Sequence, residues 1–136
     1  MSYGDSTLSK RRSIEVPGVK HDNPIPAACR IGPFVATGSI FGKDPATGKL
    51  VDGTEQQCEV MFGNIRRLIE AAGGSTDDIL KLNFWVREKS FRAIVNKQWL
   101  LMFPDEHSRP ARHTFVDPEL AEKVEMQCEF TAVIGV

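Results

Sequence analysis

The run Ile79-Leu80-Lys81-Leu82-Asn83-Phe84-Trp85-Val86-Arg87 decides the fold. Leu80, Leu82, Phe84 and Val86 alternate with Lys81, Asn83, Trp85 and Arg87, the period of two that gives a β-strand one dry face and one polar face. A strand of this kind needs a second layer over its dry face, and the chain carries a helical pattern on either side of it. Upstream, Cys58, Met61, Phe62, Ile65, Leu68, Ile69 and Ala72 recur at three and four residues, from a candidate N-cap at Thr54 to a stop at Gly73-Gly74. Downstream, Phe91, Ile94, Val95, Trp99 and Met102 repeat the pattern from about Ser90, and Pro104 ends it.

Further out, residues 27–31 and 34–40 read as a hairpin around Gly32-Pro33, followed by a surface loop over 41–53 that contains Lys43-Asp44-Pro45-Ala46-Thr47-Gly48. Two closing strands are predicted, over 112–116 and 124–133. In the second, Val124, Met126, Cys128, Phe130 and Ala132 alternate with Glu125, Gln127, Glu129 and Thr131, which turns Glu129 away from the apolar stripe. The predicted order is β-β-α-β-α-β-β, an α+β domain with both helices on one face of a mixed sheet. Residues 1–20 read as an N-terminal extension, with a turn at Val16-Pro17-Gly18, and 21–136 as the domain. The second sheet face would carry Asn83, Trp85, Gln127 and Thr131. A large aromatic there predicts cover by another subunit, in a symmetric homo-oligomer.

The chain has 136 residues, 41% hydrophobic and 26% charged, ordinary usage for one globular domain. No apolar run approaches the ~20 residues that span a bilayer, and Met1 to Arg12 lacks the apolar centre of a secretory signal; a cytoplasmic protein without a membrane role is expected. A formal net charge of −1 supplies no field for a polyanion, and Lys10-Arg11-Arg12 reads as a solvated tail, so nucleic acid is not the expected partner. Cys29, Cys58 and Cys128 are odd in number and show no CxxC spacing, which indicates neither a disulfide framework nor a thiolate zinc site. Cys58 and Cys128 fall on apolar faces. His21, His107 and His113 do not pair at helical ligand spacing, so no metal site is assigned.

Arg112 opens one closing strand and Glu129 lies seventeen residues later in the other. Were the two strands neighbours, a planar guanidinium fork and an acid could face one pocket. The fork suits a carboxylate held by two hydrogen bonds, and a partly desolvated Glu can orient water or move a proton. The plain alternative is a strand-to-strand ion pair. His113 should point to the opposite strand face from Arg112.

The element order, Pro110-Ala111-Arg112 and the step to Glu129 together resemble the RidA/YjgF family of reactive enamine and imine deaminases. The resemblance covers residues 21–136 and includes Gly38, Asp44-Pro45-Ala46-Thr47-Gly48, Asn64-Ile65, Glu70-Ala71-Ala72-Gly73 and Val95-Asn96. It implies a chorismate-mutase-like fold assembled as a homotrimer, with three clefts between subunits. It also implies that Arg112 binds the substrate carboxylate and Glu129 positions water. Thr37 and Gly38 would line the cleft, the glycine bringing its backbone to the ligand, with Asn96, Thr114 and Ile25 nearby. The plain alternatives are turn geometry for Gly38 and a structural hydrogen bond for Asn96.

The activity implied is hydrolysis of 2-aminoacrylate-like enamines and imines, bearing a carboxylate, to 2-keto acids and ammonia, with no metal or organic cofactor. Ile25 stands where a cleft tyrosine is frequent, Thr114 where cysteine is common, and Leu120-Ala121 replaces the usual Leu-Pro. The missing hydroxyl and thiol point to an altered substrate, including a bulkier enamine of the aminomuconate type. Two further readings compete: a non-catalytic keto-acid-binding regulatory trimer, and an endoribonuclease or translation inhibitor, a role attached to the family by older naming. The last requires salt-dependent RNA binding, against which the near-neutral charge argues.

Overall fold

The computed structural model of the chain describes residues 10–135; residues 1–9 of the expected extension, and Val136, lie outside them. The strands are β1 (Arg11–Ile14), β2 (Ala28–Ile31), β3 (Phe34–Thr37), β4 (Ile40–Phe41), β5 (Lys43–Asp44), β6 (Lys49–Leu50), β7 (Ile79–Val86), β8 (Ala111–Val116) and β9 (Met126–Val133). The helices are α1 (Thr54–Ala71) and α2 (Arg92–Met102). The main sheet runs β1-β2-β3-β9-β7-β8, and β4 also pairs with β9. Among the described residues only β7 and β8 pair in parallel, because α2 carries the chain back between them. The sheet is therefore mixed, and both helices pack on one face of it, the α+β arrangement expected.

The core lies between that face and the helices. Cys58, Met61, Phe62, Ile65, Leu68 and Ile69 of α1 are buried against Leu82, Phe84 and Val86 of β7 and Met126, Cys128 and Phe130 of β9. α1 stops where the sequence places its end: Gly73 takes φ 96°, its N–H donates to Glu70 O, and the Gly74 N–H reaches Ile69 O, the paired bonds of a left-handed glycine cap. Two polar side chains are buried as clamps. Asn64 donates to Phe41 O and Lys43 O, each at 2.9 Å, and accepts from Arg67; Gln57 donates to Val51 O and Lys123 O and accepts from Glu125 N. Each fastens loops to α1 with the partners a buried amide requires.

Several details differ from expectation. Leu80, expected on the dry face, is 62% exposed; the pairing of β7 with β9 shifts between Thr131 and Ala132, and such a shift reverses the facing of every residue beyond it. Thr54 is the first helical residue, with Gly53 at the N-cap, and its hydroxyl donates to Glu125 Oε2 at 3.0 Å instead of capping the helix. The strand expected over 34–40 breaks after Thr37 and resumes as β4. From Ala36 to Ile40 the chain advances four residues while β9 advances three, from Thr131 to Cys128, so one residue bulges out. The surface loop holds the small β5–β6 ribbon. Within the expected extension, Arg11–Ile14 pairs along β2 and Val16 and Val19 are buried, so the sheet begins before residue 21. Arg11 and Arg12 stand on a strand, where Ile14 packs against the core and holds it in place.

Candidate active site

Arg112 and Glu129 do not share a pocket within one chain. β7 lies between their strands, and the two registers fall on different β7 residues: Arg112 pairs with Leu82, Glu129 with Asn83. Since facing alternates along β7, Arg112 sits on the helix face and Glu129 on the other. His113, paired with Asn83, lies opposite Arg112 as expected.

Arg112 is half-buried at the β8 edge of the core. Its guanidinium carbon lies 5.1 Å from the Trp99 ring centroid and 5.5 Å from that of Phe84, over aromatic surfaces that favour a cation. Nε donates to Thr114 Oγ1 at 2.8 Å, which fixes the plane of the fork. Among the described residues no carboxylate pairs with Arg112; an arginine that does pair with an acid is Arg87, with Glu125. Burial holds its pKa below the ordinary arginine value, and the nearby Arg92 lowers it further, while Cys58 acts in the opposite sense. A partly desolvated cation beside a second cation, with its terminal nitrogens free of hydrogen bonds to the described residues, can accept an anion. Arg92, Asn96 and Trp99 fall at i, i+4 and i+7 on α2, one stripe of the helix, which sets the exposed Asn96 in line with the side chain beneath Arg112.

The other expected site residues gather around β9. Glu129 accepts from Asn83 Nδ2 at 3.2 Å through Oε2. Thr37 Oγ1 accepts from Phe130 N at 3.0 Å, which satisfies the β9 donor left beside the bulge. Gly38 N donates to Ala27 O at 2.9 Å, and a Cβ at position 38 would stand 3.2 Å from His21 Nε2, so the glycine permits a close approach of the imidazole. Ile25 is 50% exposed and borders a cleft of about 300 Å³ with Glu15, His21 and Asn23, remote from β8 in strand order. The expected site residues thus fall in two groups: Arg112 and Thr114 on β8, with Asn96 on α2, and Glu129, Thr37 and Gly38 on or beside β9 and β3. Among the described residues no group of three or more His, Cys, Asp or Glu side chains is arranged to hold a metal.

Sequence reasoning missed Arg92 and Asn83. Asn83 reads in the sequence only as part of a polar strand face, though its register opposite Glu129 emerges once the β7–β9 pairing is known. Arg92 had one signal, a cation in the first turn of a helix, where the dipole disfavours positive charge.

The sequence profile of the family described as Endoribonuclease L-PSP matches residues 22–134. The chain belongs to this family, the RidA/YjgF family. A family relative from Aquifex aeolicus, named a RutC family protein, is 31% identical over 111 residues, 81% of this chain and 88% of its own. The protein of Salmonella typhimurium named 2-iminobutanoate/2-iminopropanoate deaminase is 28% identical over 104 residues, 76% of this chain and 81% of its own. The crystal structure of RidA from an Antarctic Psychrobacter superposes with a TM-score of 0.84 at 27% identity, covering 90% of this chain and 99% of that one. The family thus includes members named as deaminases, while its profile bears the name of an endoribonuclease.

Proposed function

We propose that the protein is a cytoplasmic deaminase of reactive 2-imino and 2-enamino acids, acting as a homotrimer with its clefts between subunits. The observation that carries this reading is the Arg112 guanidinium, half-buried, fixed by Thr114 and without an acidic partner among the described residues. The name of the Salmonella relative supports the substrate class. Contact between copies would unite the two groups that a single chain keeps on opposite sheet faces.

In this mechanism the terminal nitrogens of Arg112 bind the substrate carboxylate and set C2 in place. A water oriented by Glu129 of a neighbouring copy adds to C2 of the iminium and passes a proton to the Glu129 carboxylate. The carbinolamine that forms takes this proton back on its nitrogen; its C–N bond breaks, the nitrogen leaves with that electron pair as ammonia, and the hydroxyl loses its proton, which ammonia takes up, to become the ketone. Iminium and water are converted to 2-oxo acid and ammonium without any change in redox state. Asn83 holds one Glu129 oxygen and leaves the other for water. Such imines hydrolyse in water unaided, so positioning and proton handling supply sufficient acceleration.

The test generates 2-aminoacrylate and 2-iminobutanoate in situ with a dehydratase and follows release of 2-oxo acid and ammonia. Wild type should accelerate release and Arg112→Ala should not; no acceleration of either imine by wild type refutes the proposal. A second reading, a non-catalytic 2-oxo-acid binder, is favoured by the opposite facing of Arg112 and Glu129 within the chain. It requires Arg112-dependent binding without turnover. Glu129→Gln separates the two, since in a deaminase it lowers turnover and spares carboxylate binding.

A further inference from the structure

We propose that Arg92 provides a second carboxylate seat and makes the Arg112 edge selective for dicarboxylate 2-imino or 2-oxo acids; this rests on the reading of Arg112 as a carboxylate clamp. Two guanidinium groups converge on one residue: Arg112 Nε donates to the hydroxyl of Thr114 at 2.8 Å, and Arg92 Nη2 to its main-chain carbonyl at 3.2 Å. Neither has an acidic partner within ion-pair distance among the described residues. Each guanidinium carries five N–H donors, and one on each is engaged, so both forks retain donors for a ligand.

The electrostatics agree with the geometry. Arg92 lies close enough to disfavour the charge on Arg112, and as the first residue of α2 it is held in place by the helical turn Lys89–Phe91 that runs into it. Among the described residues no carboxylate pairs with either cation, and a ligand with one negative charge would neutralise only half of the pair. A four- or five-carbon dicarboxylic acid separates its carboxylate carbons by roughly 4–5 Å, so one molecule can offer a carboxylate to each of two cations that meet at a single residue. A short aliphatic tail in the same position would meet the Arg92 guanidinium and gain no contact that water does not already give it. The Thr114 hydroxyl holds Arg112 in plane, so the α-carboxylate takes Arg112 and the distal carboxylate takes the more exposed Arg92.

The experiment measures binding of 2-oxoglutarate and 2-oxobutanoate to the full chain by calorimetry, alongside hydrolysis of the imines that an amino-acid oxidase makes from aspartate and from alanine. Wild type should prefer the dicarboxylate in both assays by about tenfold, a modest factor because Arg92 is exposed and screened. Arg92→Met should bring the two acids to equal affinity, Arg92→Lys should retain part of the preference, and Arg112→Met should abolish binding of both. Equal affinity for the two acids in wild type, or a preference that survives Arg92→Met, overturns the dicarboxylate seat while leaving the clamp in place. If neither acid binds and neither imine is accelerated, the clamp reading fails and the dicarboxylate seat fails with it.

Discussion

Arg87 and Arg112 carry the same guanidinium into opposite situations. Arg87, just past the end of β7, pairs with Glu125 at 3.3 Å and donates to the carbonyls of Pro118, Leu120, Ala121 and Val124. It holds the connection between β8 and β9 to the end of β7. Arg112 is also taken partly out of water and receives one hydroxyl in return. Residue type therefore says little about role; the number of satisfied donors says much more. A guanidinium saturated by carbonyls is a fastening, and one left open in a partly desolvated place is able to take a partner from outside the chain.

The largest expected effects come from exchanging the two alanine substitutions. Arg112→Ala should weaken 2-oxo-acid binding and turnover by about a hundredfold or more, the value of a charge-assisted pair of hydrogen bonds. Its folding stability should stay within about 1 kcal/mol of wild type, since the lost aromatic contacts are offset by removing a desolvated charge. Arg87→Ala should do the reverse, costing about 1–3 kcal/mol in a urea melt by leaving the partly buried carbonyls of Leu120 and Val124 without their side-chain donor. Should Arg112→Ala unfold the protein and Arg87→Ala leave its melt untouched, the contrast between fastening and open seat is gone.

A smaller effect sharpens the same contrast. Thr114→Val preserves shape and removes the acceptor of Arg112 Nε, so the fork keeps its charge and loses its fixed plane. Binding should weaken by roughly five- to tenfold, as for one hydrogen bond of about 1 kcal/mol, with stability almost unchanged. Titration of the variant with 2-oxobutanoate measures it, and an unaltered affinity would mean that Thr114 does not position the clamp.

Most of the fold was legible because periodicity encodes facing. Cys58 through Ala72 gave α1, and Gly73-Gly74 gave its cap. Leu82, Phe84 and Val86 gave the dry face of β7, and Val124 through Ala132 that of β9. The misreadings share a cause: they depend on register, and register is set by pairs distant in sequence. Leu80 obeys the alternation of its strand and is turned outward by a shift opposite Thr131 and Ala132. Arg112 and Glu129 each lie on the strand assigned to them, yet the interposed β7 and a one-residue difference in pairing send them to opposite faces. Lys10-Arg11-Arg12 reads as a tail because its polar pattern gives no sign that Ile14 and Val16, a few residues on, are packed into the domain.

The smallest expected effect concerns the thiol beneath the open seat. Cys58 is buried against α2, its Sγ 3.7 Å from Ile94 O. Burial pushes its pKa from 9.0 up to about 12, a rise that the Arg112 charge partly opposes; burial likewise raises Cys128 well above the ordinary thiol value. In the unfolded chain both thiols lose their protons from about pH 9 upward, whereas the folded state keeps them. The stability tied to these protons is thus complete below pH 9 and drains away as pH rises towards the folded-state value, at up to about 1.4 kcal/mol per pH unit for each thiol. Cys58→Ala should be less stable than wild type at pH 7 because of its cavity, yet show the shallower decline in urea melts between pH 9 and 10.5. Arg87→Ala, lowered by a lost fastening that does not titrate in this range, should decline in parallel with wild type. Parallel curves for Cys58→Ala and wild type would mean that this thiol ionises as readily folded as unfolded, and that the ground beneath Arg112 is wetter than its packing implies.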